Sequence, residues 1–501
     1  MTFDTTDNAP GSSEDRAGVD SGPLLVMGAR HNASTDHGAA GPRMLSALHA
    51  ETLQPLLAEW SYEGDSTWTR ASQWIDREPS RKLFVRSADD AGVLNPANII
   101  GNGLYQAIGS GAFVALRDER GFPAAVDMVA WGIADAGGEL DRSLSELKNV
   151  VEVSCTSLGY AARLRDHRVV CWGTGAALDD PDDYLQVRSS RTAFVGQKRD
   201  GRLHAWGSEA GGVPVPAEVA QHRDYVELCG AYSAFAARRA SGHVLAWGSE
   251  LSGGRLAAGQ DSLDDIVQLI GNFHAFAALR SSAGQGRVIA WGLPAAGGVP
   301  PAEISALDNV RCLAASTRQA FAVILHNDAV RAWGHEAYGG KVPDEVQGLT
   351  GVLEVSASHG AFCARLSSGQ VVAWPQTRVE GRLPRAIAEL TNVVQVVGSG
   401  QSFAALCRDG RVHAWGNPDT GGDTAAVAAQ LFDVRAVYGN ANSFAALTAD
   451  GRVVTWGFRL AGGDSDAVQA QLTGKVTTGY QVPLAEVQRL FDEARHDRAD
   501  S

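Results

Sequence analysis

Short runs in which apolar and polar residues alternate fill most of this chain, and they return in a fixed order. "NVVQVVGS" at 392–399 is apolar at alternate positions and rich in β-branched residues, the signature of a strand. "SFAAL" at 402–406 is a second extended run, and "RVHAWG" at 411–416 is a third. Asp409-Gly410 stands between the last two, and such a pair suits a tight hairpin because Gly accepts positive φ. The pattern predicts a three-stranded antiparallel meander.

The same phrase recurs along the chain, anchored on Trp131, Trp172, Trp206, Trp247, Trp291, Trp333, Trp374, Trp415 and Trp456. Successive spacings are 41, 34, 41, 44, 42, 41, 41 and 41 residues, a register that marks nine copies of one unit. Gly follows every one of these tryptophans except Trp374, which precedes Pro375. Twelve positions before the Trp stands an aromatic residue in seven copies: Tyr160, Phe194, Phe235, Phe321, Phe362, Phe403 and Phe444. Phe276 and Phe113 take the same place at longer distance, because their hairpins carry the insertions "SSAGQG" and "DERGFPAAVD".

After the Trp a Gly-Gly pair recurs, at 137–138, 211–212, 253–254, 297–298, 339–340, 421–422 and 462–463. "VPVPAEVAQH", "VPPAEISAL" and "VPDEVQGL" then follow in three copies. Pro opens a helical turn well and an acidic residue favours its N-terminus, so a short helical link between meanders is predicted. In the last two copies Asp423 and Asp464 replace the proline as expected caps. Ala404-Ala405, Ala445-Ala446 and their equivalents put small residues on the second strand, as expected where tapered sheets converge on an axis. The Phe and Trp side chains should fill the gaps between sheets, burying about 150–250 Å² each. These eighteen aromatic residues are the predicted structural core of the repeat.

The flanks differ from the array. Residues 1–22 are polar and acidic and are expected to be disordered. Residues 23–94 carry the strand-like runs "PLLVMGAR", "RMLSALHA", "PLLAEWSYEG" and "RKLFVRSA", with Trp60, Trp68 and Trp74 as core aromatics, and predict a small β-rich domain or cap. The array proper spans 95–474. In the tail 475–501, Leu484, Val487, Leu490, Phe491 and Ala494 lie at helical spacing and are expected to cap the last unit.

Charge and composition narrow the function classes. The net charge of −14 opposes binding to phosphate backbones, so no nucleic-acid partner is expected. No apolar run reaches the roughly 18 residues of a membrane span, and the first residues lack the apolar stretch of a secretory signal. The expectation is a cytoplasmic monomer, with export that needs no such signal left open. Cys155, Cys171, Cys229, Cys312, Cys363 and Cys407 include no C-x-x-C pair and read as small buried thiols.

Candidate chemistry dissolves on inspection. There is no H-E-x-x-H, and His204, His243 and His413 fall on hairpin strands where other copies carry Val or Leu, as rim histidines would. "GHEAYGGKVP" at 334–343 has the wrong phosphate-loop spacing, and Val342 stands where Ser or Thr must bind magnesium. "GNGLYQ" and "GSGAFV" lack the third glycine of a dinucleotide fingerprint, and "GQSFA" ends in Ala404 where a nucleophile elbow has Gly. Asp179, Asp180, Asp182 and Asp183 lie in the short 34-residue interval without calcium-loop spacing, as a solvated loop that replaces a helical turn. No catalytic residue, cofactor or metal is predicted.

"SFAALCRDGRVHAWG", with its Gly-rich continuation, resembles the repeats of the regulator of chromosome condensation family over roughly 97–474. The alanine-rich, lysine-poor wording suits a short-repeat bacterial relative. The resemblance implies a β-propeller. That family runs longer units and closes with seven blades, so nine short copies leave two arrangements: a propeller-like ring, or an open superhelical stack. The family's founder is a nucleotide exchange factor for a small GTPase, but no loop here matches residues for that activity, and many relatives are interaction platforms. The expected function is a non-enzymatic scaffold for an unknown protein partner, bound through hairpin loops on one face. Nucleotide exchange on a small GTPase and carbohydrate binding or adhesion are the alternatives.

Overall fold

The structure is a computed structural model that describes residues 19–30, 43–104, 110–119 and 122–499. Residues 1–18 of the acidic tail and the tip of the unit 1 insertion, at 120 and 121, lie outside the described residues.

Nine three-stranded antiparallel sheets follow one another, spanning 99–132, 150–173, 184–207, 225–248, 266–292, 310–334, 352–374, 393–416 and 434–457. We number them units 1 to 9. In each, the second strand lies in the middle and pairs with the first and third. The middle-strand aromatic stands directly opposite the third-strand Trp, as Phe444 does opposite Trp456. The ring centroids of these pairs are 5.2 to 5.5 Å apart in all nine units.

Strand alternation explains the alanines. It sends Phe403 and Ala405 to one face of unit 8, and Ala404 and Leu406 to the other. Phe403 and Trp415 pack on Cys363 and Ala373 of unit 7. Ala404 and Leu406 receive Phe444 and Trp456 of unit 9. The small residues are therefore seats for the next unit's aromatic pair, in mid-sheet. The taper led us to expect them at the axis, but the first strands take that place, each lying against the first strand of the next unit.

The seam is completed by the Gly-rich link. After most third strands comes a one-turn helix such as Pro418–Thr420, ended by a left-handed glycine, here Gly421 with φ 94°. A Cβ on Gly421 would lie 2.6 Å from the Phe444 ring, so only glycine lets the link approach. Its carbonyl accepts the Trp456 indole N–H at 3.0 Å. The same bond to a link glycine recurs at Trp131, Trp172, Trp247, Trp291, Trp333 and Trp374, and Trp415 donates instead to the Glu380 carbonyl, all at 2.8 to 3.0 Å. Trp206 is the exception: the shortened interval before it has no Gly-Gly link, and no link carbonyl accepts its buried N–H. Short helices complete most links, as at Ala302–Ser305 and Asp344–Gln347. In the link from unit 8 to unit 9, residues 425–430 form turns, and Asp423 Oδ1 accepts the Ala425 N–H without starting a helix.

The last seam joins unit 9 to unit 1. Phe113 and Trp131 pack on Ala445, Leu447 and Val453, and the Trp131 indole donates to the Gly462 carbonyl at 3.0 Å. This is the contact made at the other seams, so the nine units close into a propeller-like ring and the open stack is excluded. A second fastening lies outside the ring. The strand Gly479–Val482, which follows unit 9, pairs antiparallel with Ala91–Leu94, which precedes unit 1.

Ala91–Leu94 belongs to the N-terminal region, where one three-stranded sheet and one five-stranded sheet enclose Trp60, Leu45 and Leu83. Trp74 and Trp68 are half-buried, the first stacked on Trp60 and the second tilted against Phe491. The C-terminal helix Leu484–Ala499 was expected to cap unit 9. It lies instead on the N-terminal sheet, with Val487 and Phe491 against Phe84 and Val93. The region meets the ring on the side of the hairpin turns. The Gly28 N–H donates to the Arg435 carbonyl at 2.9 Å, and buried Arg43 donates to Ser356 Oγ at 3.1 Å. Both partners are on first strands, so the region reaches the inner wall of units 7 to 9.

The unequal indole bonds give a paired expectation. Trp333→Phe removes a buried N–H and orphans the Gly297 carbonyl, whereas Trp206→Phe removes no such bond. The first should cost about 1–2 kcal/mol more than the second, read from urea unfolding midpoints.

Candidate functional site

The eighteen aromatic residues of the repeat core all lie buried in the seams and form no site. A site must be sought where the units differ. One register position differs most: the residue three before the core aromatic, on the loop from first to middle strand. Along the nine units it reads Ser110, Ser157, Arg191, Tyr232, Phe273, Arg318, His359, Gly400 and Ala441. The sequence carries this position as variation inside a fixed frame, which the repeated letters alone do not single out.

These loops lie on the face opposite the hairpins and are tied into a collar by backbone bonds from unit to unit. Ser157 donates to the Arg191 carbonyl, Arg191 to Ala231, Tyr232 to Phe273, Phe273 to Arg318, Arg318 to His359, His359 to Gly400 and Gly400 to Ala441, at 2.9 to 3.3 Å. At most of the loops a buried side chain holds the loop to its own link. Asn272 Nδ2 donates to the Ala296 carbonyl at 2.8 Å, and Ser399 Oγ donates to Thr420 at 2.7 Å. The collar is therefore rigid, with its variable side chains in fixed relative positions.

Across units 3 to 7 those side chains form one continuous cluster. The Arg191 guanidinium lies over the Tyr232 ring at 4.4 Å and reaches Phe273 at 5.6 Å. Arg318 lies 5.1 Å from the Phe273 ring on its own side. Tyr232 and Phe273 are 5.4 Å apart, and His359 meets Phe273 edge-on at 5.7 Å. Tyr338, on the link after unit 6, continues the row to His359 at 6.1 Å and carries the Arg378 guanidinium at 4.3 Å. Phe273, His359 and Arg191 are buried, while Tyr232 and Arg318 are half-buried. Burial and the charge of Arg318 push the His274 imidazole below its ordinary value. The cluster is thus a cationic, aromatic patch on a chain of net charge −14. Guanidiniums stacked on rings are held flat and preorganised for contact.

At the end of the row sits Glu380, in the link that replaces Gly-Gly after unit 7. It is fully buried, accepts a long bond from Ser358 Oγ at 3.4 Å, and no donor among the described residues reaches its Oε2. Burial pushes its carboxyl above the usual range, against the opposing effect of Arg378.

The other candidates stay apart from the collar. His204 lies on the third strand of unit 3, 2.6 Å from the Tyr184 hydroxyl and 3.4 Å from Asp179. Burial lowers its pKa. Lys198 binds Asp180 at 3.0 Å, so the acidic loop is pinned to its own unit. His243 touches Ser241, and no three His, Cys, Asp or Glu side chains converge among the described residues. The six cysteines are free and buried or half-buried, with burial pushing the Cys171 and Cys407 thiols up to about 12. No helix among the described residues is long and apolar enough to cross a membrane.

No family model and no curated protein matches the chain. Solved structures similar to it include Prp20p from Saccharomyces cerevisiae, at 15% identity over 72% of this chain and 86% of that one, with a TM-score of 0.32. The ectodomain of the Arabidopsis thaliana receptor kinase ACR4 is 14% identical over 65% of this chain and 96% of its own, with a TM-score of 0.35. Human WBSCR16 is 14% identical over 64% and 86%, with a TM-score of 0.32. These scores are low, and the nine-unit ring stands on the strand pairing and seams of this chain alone.

Glu380 makes a testable difference to stability. A carboxyl whose pKa is higher folded than unfolded holds its proton longer in the folded chain. Its stability contribution is full below the unfolded value and is lost as pH rises through the folded one. Glu380→Gln should therefore raise the melting temperature at pH 7, and the gain should shrink toward pH 4.

Proposed function

We propose that this chain is a non-enzymatic scaffold that binds a protein partner on the collar face of its ring. One observation carries the proposal: five consecutive units depart from the repeat at a single register position, and the departures bring Arg, Tyr, Phe, Arg and His together on a rigid loop belt. Arg and Tyr are the residue types that dominate binding energy at protein interfaces, above all where the surrounding structure fixes them. A catalytic group would have to be singular and placed in a cleft. The collar offers a broad patch instead.

The sequence pointed to the hairpin insertions as the contact surface. They lie on the opposite side, which the N-terminal region shares, and exposed residues 281–285 extend the hairpin of unit 5 there. The collar face is favoured because its side chains are ordered by neighbours, whereas residues 281–285 stand in solvent. Binding that uses preorganised side chains loses less entropy on association.

Affinity capture from native cells distinguishes the two faces. Tyr232→Ala and Arg318→Ala change half-buried collar side chains and should each cost the captured partner about 2 kcal/mol or more of affinity. Deletion of 282–285 should leave capture intact. Capture that survives the collar substitutions but fails with the hairpin deletion would move the surface to the other face. Faster nucleotide release from a small-GTPase panel, or a tryptophan fluorescence response to glycans, would displace the scaffold proposal altogether.

A further inference from the structure

On the face opposite the collar, the N-terminal region covers only part of the ring. The first strand of each of units 2 to 9 carries a bulge near its start, which leaves one residue per unit out of register at the hairpin end of the inner wall. In unit 8 this residue is Val394, which packs with Met27 and Leu48 of the N-terminal region and is 3% exposed. In units 3, 4 and 5 it is Leu185, Val226 and Val267, at 44%, 48% and 46% exposed. Neighbouring first strands lie side by side, so these three form one apolar row beyond the cover.

The cover is unfinished on the same side. Its three-stranded sheet runs in the order Leu24–Met27, Arg43–His49, Gln73–Asp76. The first of these lies on unit 9 and the second on units 8 and 7, where Arg365 donates to Met44 Sδ at 3.0 Å. Gln73–Asp76 comes next along the ring, and the charge of Arg77, which follows it, acts on the Cys312 thiol of unit 6. The register sets Ile75 beside Met44 and Gln73 beside Ser46, on the sheet face turned to the ring. Met44 is buried on that face, whereas Ile75 is 39% exposed.

The backbone of this edge is open as well. The Ala47 N–H donates to the Ser72 carbonyl, so antiparallel alternation points the main-chain groups of Gln73 and Ile75 away from the sheet. No group among the described residues bonds them. Elsewhere the chain closes such edges. The Val169 N–H donates to the Pro181 carbonyl, and the Gln260 and Gln469 side chains donate to the Ala290 and Val453 carbonyls of outer strands. An open edge selects an extended backbone, which alone matches its spacing of donors and acceptors.

We propose that Gln73–Asp76 takes an extended segment of a protein partner as a fourth strand of the N-terminal sheet. A residue paired opposite Ile75 turns to the same face, toward the row of Leu185, Val226 and Val267. The added strand continues the apolar layer that Met27 and Leu48 make on Val394, so the segment is apolar at alternate positions.

A random-peptide library displayed on phage, selected against the full chain and followed by fluorescence anisotropy of the selected peptides, tests this. A selected peptide should alternate apolar residues and bind saturably. One of its two alternately N-methylated forms should bind at least about tenfold more weakly, because it lacks the N–H groups that pair with the edge. Gln73→Pro removes an outward N–H and should weaken binding at least about tenfold. Val226→Lys places a charge in the apolar row and should do the same. If one variant melts early, the other still decides. By hydrogen exchange, the amides of Gln73 and Ile75 should be fast in the chain alone and slow with peptide bound. The proposal fails if no selected peptide saturates, if neither N-methylated form is weakened, or if binding is unchanged in a variant that melts like the parent. It also fails if those amides are already slow in the dilute chain, which would put the chain's own residues on the edge. Slowing as the chain dimerises would put a second copy there and overturn it too.

Discussion

An aromatic pair seated on glycine and alanine holds this ring together. Each unit presents a Phe or Tyr and a Trp on one face and small residues on the other, so one unit's bulk enters the next unit's hollow. The Gly-rich link lies so close to the aromatic ring that no Cβ fits: one on Gly462 would stand 2.6 Å from the Phe113 ring. The indole N–H then reaches the link's carbonyl, which satisfies a buried donor at the centre of the contact. Packing and hydrogen bonding thus act on the same few atoms. The link's length matters as much as its glycines: after unit 7 Glu380 replaces the pair and its carbonyl still accepts the Trp415 indole, whereas in the shortened interval before Trp206 no link carbonyl does.

Much of this was legible in the letters. The strand order, the hairpin glycines, the helical links and the inter-sheet place of the aromatics all follow from period-2 alternation and from residue size. Ring closure was not legible, because the repeat reads the same in a closed ring and an open stack. Closure depends on Trp131 finding Gly462, a contact between residues at opposite ends of the array. The C-terminal helix was misplaced for a related reason. Its apolar stripe specifies a helix with a partner but does not say which, and the partner is the N-terminal sheet, reached through the strand Gly479–Val482. The collar cluster is invisible to single-unit reasoning, since Arg191, Phe273 and Arg318 become neighbours only when three units are assembled.

The two faces of the ring have separate work. The hairpin side receives the N-terminal region, with Arg43 and Met44 against the inner wall and a mixed-charge cleft at its margin. The collar side carries the side chains that break the repeat. Identical seams free both faces to vary, because stability resides in the aromatic contacts and not in the loops. Closure adds a second constraint: with the first and last units in contact, the relative positions of the collar loops of units 2 to 9 are set.

Closure is therefore the claim on which the rest depends, and a distance measurement between spin labels tests it most directly. Leu460 and Ser145 flank the closing seam. Leu251 and Ser305 occupy the equivalent positions at an ordinary one, and all four are exposed. The native thiols are buried or half-buried, and burial raises five of them, so introduced cysteines will label selectively. The account predicts that the Leu460→Cys, Ser145→Cys pair and the Leu251→Cys, Ser305→Cys pair give the same narrow distance. A closing pair that lies far beyond the ordinary pair, or spreads over a broad range, would contradict it.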